Sequence, residues 1–217
     1  IVVLSCVLPN LVYLFLDSKQ NHPINHWPKP SGSDDELMQN WAGNQTFAAN
    51  HYLEPASEAE LQAIVREARK VKVLGTKHSF NAIADTHGTA LSLDAMPTVK
   101  RLDKDTETVT VGAGMTYGAI GAFLAKHGYG LHNTASLPHI TIAGAIATAT
   151  HGSGTCNGNL ATAVRGLRVI DADSAIHEID SVHRDPPLEG VVVGLGVVGI
   201  IVEVTLAVQP SYDMRQY

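Results

Sequence analysis

From residue 140 to residue 154 the chain reads Ile-Thr-Ile-Ala-Gly-Ala-Ile-Ala-Thr-Ala-Thr-His-Gly-Ser-Gly. Nearly every side chain in this run is small or apolar, hydroxyls recur along it, and an imidazole stands only near its end. Such side chains build little core by themselves, so the run constrains the fold through what it lets come close. Gly144, Gly152 and Gly154 permit close main-chain approach or left-handed dihedrals. Two readings fit: buried main chain held against something large and flat, or a tight helix–turn packing seam.

The flanking sequence predicts an α+β chain with two lobes. Ser57-Glu-Ala-Glu60 after Pro55 is a capping box, and Leu61, Ile64, Val65 and Ala68 then share one face of a helix ending at Arg69-Lys70. Val71–Leu74 follows as a short strand stopped by Gly75, and Ala90–Leu93 is a second strand, so this part reads as a small βαβ lobe. Beyond Val99 the pattern changes to a larger mixed α/β lobe. Val99–Leu102 and Thr108–Val111 flank the turn Asp103-Lys-Asp-Thr106, and Val164–Ile170 and Ala175–Ile179 flank Asp171-Ala-Asp-Ser174, giving two hairpins. Thr116 caps a helix between them, with Met115 and Ile120 as a hydrophobic staple, Phe123 and Leu124 on the buried face and Gly128 at its end. His183–Pro187 is a polar break. Ile200–Val208 should be a strand with some alternation, closed by Pro210.

Residues 1–16 are almost uninterrupted apolar sequence, short for a membrane span and close to a signal-peptide core; the same run also fits a buried strand pair. Residues 17–37 follow as a Pro-, His-, Ser- and Asn-rich linker. The expected location is secretory or membrane-associated through that leader, and cytoplasmic without it. Asn44-Gln-Thr46 is a glycosylation sequon that matters only on the secretory route.

Composition excludes several classes. With 217 residues, 45% hydrophobic and only 17% charged, the chain has enough apolar sequence for a sizeable core. A net charge of −6 without a Lys/Arg cluster argues against a nucleic-acid partner. Cys6 and Cys156 make neither a disulfide framework nor a metal-ligand spacing, and the eleven histidines form no metal set. No GxGxxG joins a strand to a helix, which disfavours a doubly wound dinucleotide fold, and Gly152-Ser-Gly154 is not a nucleophile elbow.

Gly75-Thr-Lys-His-Ser-Phe-Asn81 carries the clearest chemistry. It leaves a strand end, and successive N–H groups there, with the Thr76 and Ser79 hydroxyls, make an anion-holding nest suited to a pyrophosphate. His78 either reaches a cofactor carried by this loop or bonds a loop carbonyl, and Lys77 adds charge or points to water. His139 and His151 either fix a polar edge of a bound ring or satisfy a carbonyl.

Taken together, Gly75–Asn81, Ala135-Ser-Leu-Pro-His-Ile-Thr-Ile-Ala-Gly144 and Thr150-His-Gly-Ser-Gly154 resemble the FAD-binding, PCMH-type domain of the vanillyl-alcohol-oxidase superfamily, nearest its alditol and xylitol oxidases. Trp41-Ala-Gly43 and Leu195–Leu206 resemble it too. The resemblance implies an FAD domain over residues 38–210, with a small lobe at about 38–97 and a larger one at about 98–210. It implies a cofactor, FAD, bonded covalently through His78, with the pyrophosphate held by Gly75, Thr76, Lys77, His78 and Ser79. Ser136 would stand beside the reactive face of the flavin as the catalytic residue, with Ala135 beside it near the oxygen path. Gly144, Thr148, Thr150, His151 and Gly152 would line the cofactor, and Ile201 would pass near the adenine. The implied reaction is hydride transfer from a polyol CH–OH to flavin N5, with reoxidation by dioxygen to hydrogen peroxide. An aldonolactone oxidase of the gulono- or arabinono-lactone type is the alternative, and a non-catalytic flavin-binding fragment another. In this family a substrate domain follows the FAD domain, and the expectation is that this chain lacks it. Lys77, Ala149 and Ala172 stand where relatives commonly have glycine.

Overall fold

A computed structural model of the chain describes residues 38–96 and 99–213. The apolar leader and the linker expected at 1–16 and 17–37 lie outside the described residues. Among the described residues no helix is long and apolar enough to cross a membrane.

The first lobe is built on three short parallel strands. β1 (His51–Leu53), β2 (Val71–Val73) and β3 (Thr89–Leu91) lie in the order β1-β3-β2, with His51 and Val71 both opposite Thr89. Parallel neighbours need a crossover, and helix α1 (Glu58–Glu67) connects β1 to β2. The Ser57 hydroxyl accepts the Glu60 amide at 3.2 Å, and Glu60 Oε2 accepts the amide of Ala56 at 2.9 Å. The helix ends short of the expected Arg69-Lys70. Ala68 is already extended (φ −81°, ψ 127°), its N–H on Ile64 O, because the chain must be redirected before β2 begins at Val71. β1 was not expected: it offers neither alternation nor β-branched residues, and only its ladder with β3 makes it a strand.

The second lobe carries a five-stranded antiparallel sheet. β4 (Val99–Asp103) and β5 (Thr108–Gly112) form the first hairpin, in which Asp103 Oδ1 accepts the amides of Asp105 at 3.0 Å and Thr106 at 3.1 Å. Helix α2 (Tyr117–Lys126) is capped by Thr116, with Met115 and Ile120 buried as the staple requires, and Gly128 beyond it is left-handed at φ 78°. β6 (Tyr129–Gly130) precedes helix α3 (Ile142–Ala147), which is the small-residue run. β7 (Val164–Ile170) and β8 (Ile176–Asp180) form the second hairpin, closed by Asp171 Oδ1 on the amides of Asp173 and Ala175, both at 2.9 Å. That bond takes Ala175 out of the strand expected to include it. Helix α4 (Leu188–Val191) is a single turn. β9 (Ile200–Ala207) alternates buried and half-buried residues as expected, and β10 (Gln209–Pro210) pairs with β6. The sheet order is β4-β5-β9-β7-β8.

One face of that sheet packs on the two longer helices of its lobe. Ile120 and Leu124 of α2 and Ile142 and Ile146 of α3 meet Val109, Val111, Val204 and Leu206, all 1% exposed or less. A second core joins the lobes: Leu61 and Val65 of α1, with Leu91 and Leu93, pack against Ala113, Ile170, Ile200 and Val202. Polar bonds reinforce that junction. Arg168 of β7 reaches Glu58 at 2.9 Å, while Gln62 Nε2 donates to Ser174 O at 2.7 Å and Ser174 Oγ to Gln62 O at 3.1 Å.

Candidate cofactor site

A cavity of about 380 Å³ opens where the end of β2, helix α3 and the start of β9 converge. This lies within the range of roughly 300–1,000 Å³ typical of small-molecule pockets. One wall is the turn leaving β2, and Gly75, Thr76, Lys77, His78 and Ser79 all line it. Leu74 beneath the turn is buried and its N–H closes the ladder onto Leu91 O, after which the chain bends away from the sheet. Among the described residues the N–H groups of Gly75, Thr76, His78 and Ser79 donate no hydrogen bond to the protein. Such a row of unspent donors is what an anionic group needs.

The opposite wall is α3. Its rear face, Ile142 and Ile146, is fully buried, while Ala143, Gly144, Ala145, Ala147 and Thr148 line the cavity, with Thr150 just beyond. The packing-seam reading fits the buried side of this helix, while its other side lines the open cavity. The walls touch at Thr141. A β-carbon on Gly75 would overlap the Thr141 hydroxyl, and one on Gly144 would come within 2.9 Å of the same oxygen. Ile201 and its neighbour Ile200 close the cavity from β9.

Lys77 at φ 60° and Ala149 at φ 53° are among the non-glycine residues held in left-handed geometry. These are two of the three sites noted as glycine in relatives; the third, Ala172, is not left-handed, and Ser174 of that hairpin is instead, at φ 63°. Burial pushes the Lys77 amine down to about 8. His78 is also held below the usual histidine range, first by burial and then by the nearby His139.

His78 is gripped from several sides. Its ring contacts both Trp41, with centroids 4.8 Å apart, and His139, with centroids 4.6 Å apart. Its Nε2 is 2.6 Å from His139 Nε2, so His139 bonds a second histidine rather than a carbonyl through that nitrogen. The neighbouring loop supports the turn through Trp41 N on Lys77 O at 3.0 Å, Asn40 Nδ2 on Ser79 O at 2.9 Å and Asn44 Nδ2 on Phe80 O at 3.0 Å. The sequon asparagine thus spends its amide on the turn.

Ala135, Ser136, His151 and Gly152 do not line the cavity. Ser136 is exposed, and Ala135 packs against the edge of the main core. His151 is exposed, with Nδ1 2.8 Å from Gly152 O. Gly152 lies against Asn133 and Thr134, where a β-carbon would meet the Asn133 side chain at 2.6 Å, so the loops carrying these four residues meet each other beside the cavity. The cavity also contains residues the sequence reading passed over. Asp94 and Gly114 line it, and Gly114 approaches Leu93 so closely that a β-carbon would sit 2.8 Å from its carbonyl oxygen. Gly112-Ala-Gly114 directly after a strand was the available signal.

Residues 49–180, from just before β1 to the end of β8, match the model of the FAD-binding domain family. The chain belongs to this family, in its PCMH-type form. Among curated proteins this FAD-binding domain is similar to an alditol oxidase from a Streptomyces species, 39% identical over 83% of this chain and 44% of the relative. It is similar to an L-gulono-1,4-lactone dehydrogenase of Mycobacterium tuberculosis, 34% identical over 83% of this chain and 42% of the relative. It is also similar to the mouse L-gulonolactone oxidase, 33% identical over 82% of this chain and 42% of the relative. The chain thus spans less than half the length of each of these relatives.

Proposed function

We propose that this FAD-binding domain holds FAD in the cavity between the Gly75–Ser79 turn and α3, and that it serves an oxidase acting on the CH–OH group of a polyol. The observation that carries the reading is the convergence of a turn with unspent N–H donors and a small-residue helix face on one largely apolar cavity, joined at Thr141. In this proposal Gly75, Thr76 and Ser79 hold the diphosphate, Lys77 supplies the neighbouring charge, and Gly144, Thr148 and Thr150 border the cofactor. When bound, FAD supplies hydride acceptance from the alcohol carbon and return of the electrons to dioxygen as hydrogen peroxide. The protein's part is to position the cofactor, keep water from it with the apolar lining, and tether it through His78. Ser136, on the loop that also carries His139, is our choice for the residue beside the reacting face, and it requires a cofactor that reaches beyond the cavity.

The polyol assignment is supported by the similarity to an alditol oxidase. Similarity to gulonolactone-oxidising proteins supports a sugar lactone as the second reading. Hydrogen peroxide release by the full-length protein with xylitol, against the same assay with L-gulono-1,4-lactone, separates the two. For the cofactor itself, FAD at a hundredfold its Kd stabilises a folded binder by about 2.7 kcal/mol, a rise in Tm of roughly 5–10 °C. An unchanged Tm would overturn FAD binding. For the tether, acid-precipitated protein keeps its yellow flavin, whereas His78→Ala binds FAD but releases it in acid. Acid-stable flavin in His78→Ala would remove His78 from that role.

A further inference from the structure

We propose that His139 is the positioning residue for His78 and takes up its proton as His78 forms a covalent bond to the flavin. The proposal rests on the reading of His78 as the tether and adds the residue that makes its ring a nucleophile. The two Nε2 atoms are 2.6 Å apart, a distance at which one nitrogen must carry the proton and the other must accept it. With the proton on Nε2 of His78 and aimed at His139, the lone pair of His78 is on Nδ1, which has no protein partner among the described residues. This is the tautomer needed for attack on carbon, and the proposal assigns the shared proton to His78, where the hydrogen bond to His139 holds it at the other ring nitrogen. Burial and the adjacent His139 favour the neutral ring. Tilted ring contacts with Trp41 and His139 restrict how the ring can turn.

The reaction balances. Nδ1 of His78 forms a bond to the flavin 8α carbon, one C–H bond breaks there, and the Nε2–H bond of His78 breaks as that proton moves to Nε2 of His139. Two electrons and the two released protons are finally taken by dioxygen, the oxidant of the proposed reaction, as hydrogen peroxide. His139 stands firmly enough to do this. The amide of Gly118 at the start of α2 donates to Pro138 O at 2.6 Å, and Tyr117 N donates to Ile140 O at 3.1 Å, so both neighbours of His139 are fastened to one helix end. His139 itself does not line the cavity, whereas His78 does, which suits a residue acting through another.

The test uses full-length protein prepared without flavin and mixed with FAD in air. Noncovalent binding is read from quenching of FAD fluorescence, and tethering from the flavin absorbance that acid-precipitated protein retains over time. His139→Ala is expected to tether about 100-fold more slowly, with its noncovalent Kd changed less than about threefold, and added imidazole should restore part of the rate. His139→Gln can still accept the Nε2–H hydrogen bond but cannot take the proton, so it too should bind FAD and tether slowly. Tethering at the parent rate in either variant overturns the role of His139 while leaving His78 in place. Complete release of flavin by acid from the parent protein overturns the tether and the role of His139 together.

Discussion

Helix α3 and the Gly75–Ser79 turn face the same cavity, but they are fastened differently. Behind α3 stand Ile142 and Ile146, both fully buried, so its cavity face is free to consist of residues too small to pack. The turn has buried Leu74 at its root, and from there on its shape depends on polar bonds from the loop of Asn40, Trp41 and Asn44 and on a left-handed Lys77. A helix encodes a wall through side chains on its far side; a turn must encode it in the backbone itself. The two should therefore fail in different ways.

The largest effect belongs to the helix. Ile146→Ala removes a fully buried side chain and should cost about 2–5 kcal/mol in urea-induced unfolding, taking FAD affinity down only as far as the folded fraction falls. A loss below about 1 kcal/mol would mean that α3 is not held by its rear face.

Gly75→Ala probes where the walls touch. Its new methyl meets the Thr141 hydroxyl, and the expected cost is about 1–3 kcal/mol. Adding Thr141→Ala should recover much of it, since the two side chains would no longer collide, while additive losses in the double variant would show that the contact is not the cause.

The smallest effect sharpens the comparison. Lys77→Gly relieves a left-handed residue and should stabilise by about 1 kcal/mol, or roughly 2–4 °C in Tm, and Ala149→Gly at the end of α3 should gain a similar amount. pH distinguishes them. The Lys77 amine is held to about 8 by burial against its ordinary 10.5, so between those values the unfolded chain binds more protons and the parent gains stability as pH rises. Below pH 8 the parent carries the full cost of the buried ammonium. The advantage of Lys77→Gly should therefore shrink between pH 8 and 10.5, while that of Ala149→Gly stays level.

What the sequence disclosed follows from the range of the interactions. The capping box, the staple at Met115 and Ile120, and the aspartate-closed turns at Asp103 and Asp171 are bonds between near neighbours, and all were readable. β1 was not, because its identity comes from pairing with β3 well along the chain. The run from Ile140 to Gly154 displayed its smallness but not its conformation, since alanine, glycine and threonine suit both a helix and a close-lying extended segment. Its far end, His151 and Gly152, turns away to the Asn133–Thr134 loop through contacts that no spacing rule carries. His139 lies inside a recognisable motif, yet its partner is 61 positions away, and only the folded chain shows them bonded.

The grip of α1 on the larger sheet has a consequence for how a ligand is received. This helix belongs to the parallel strands by connectivity but to the antiparallel ones by its bonds, through Glu58 to Arg168 and through the reciprocal pair of Gln62 and Ser174. Swinging the lobes apart would tear a continuous apolar seam as well as those links. The width of the gap between them is consequently set by how α1 packs on the larger sheet, and widening it means breaking those contacts.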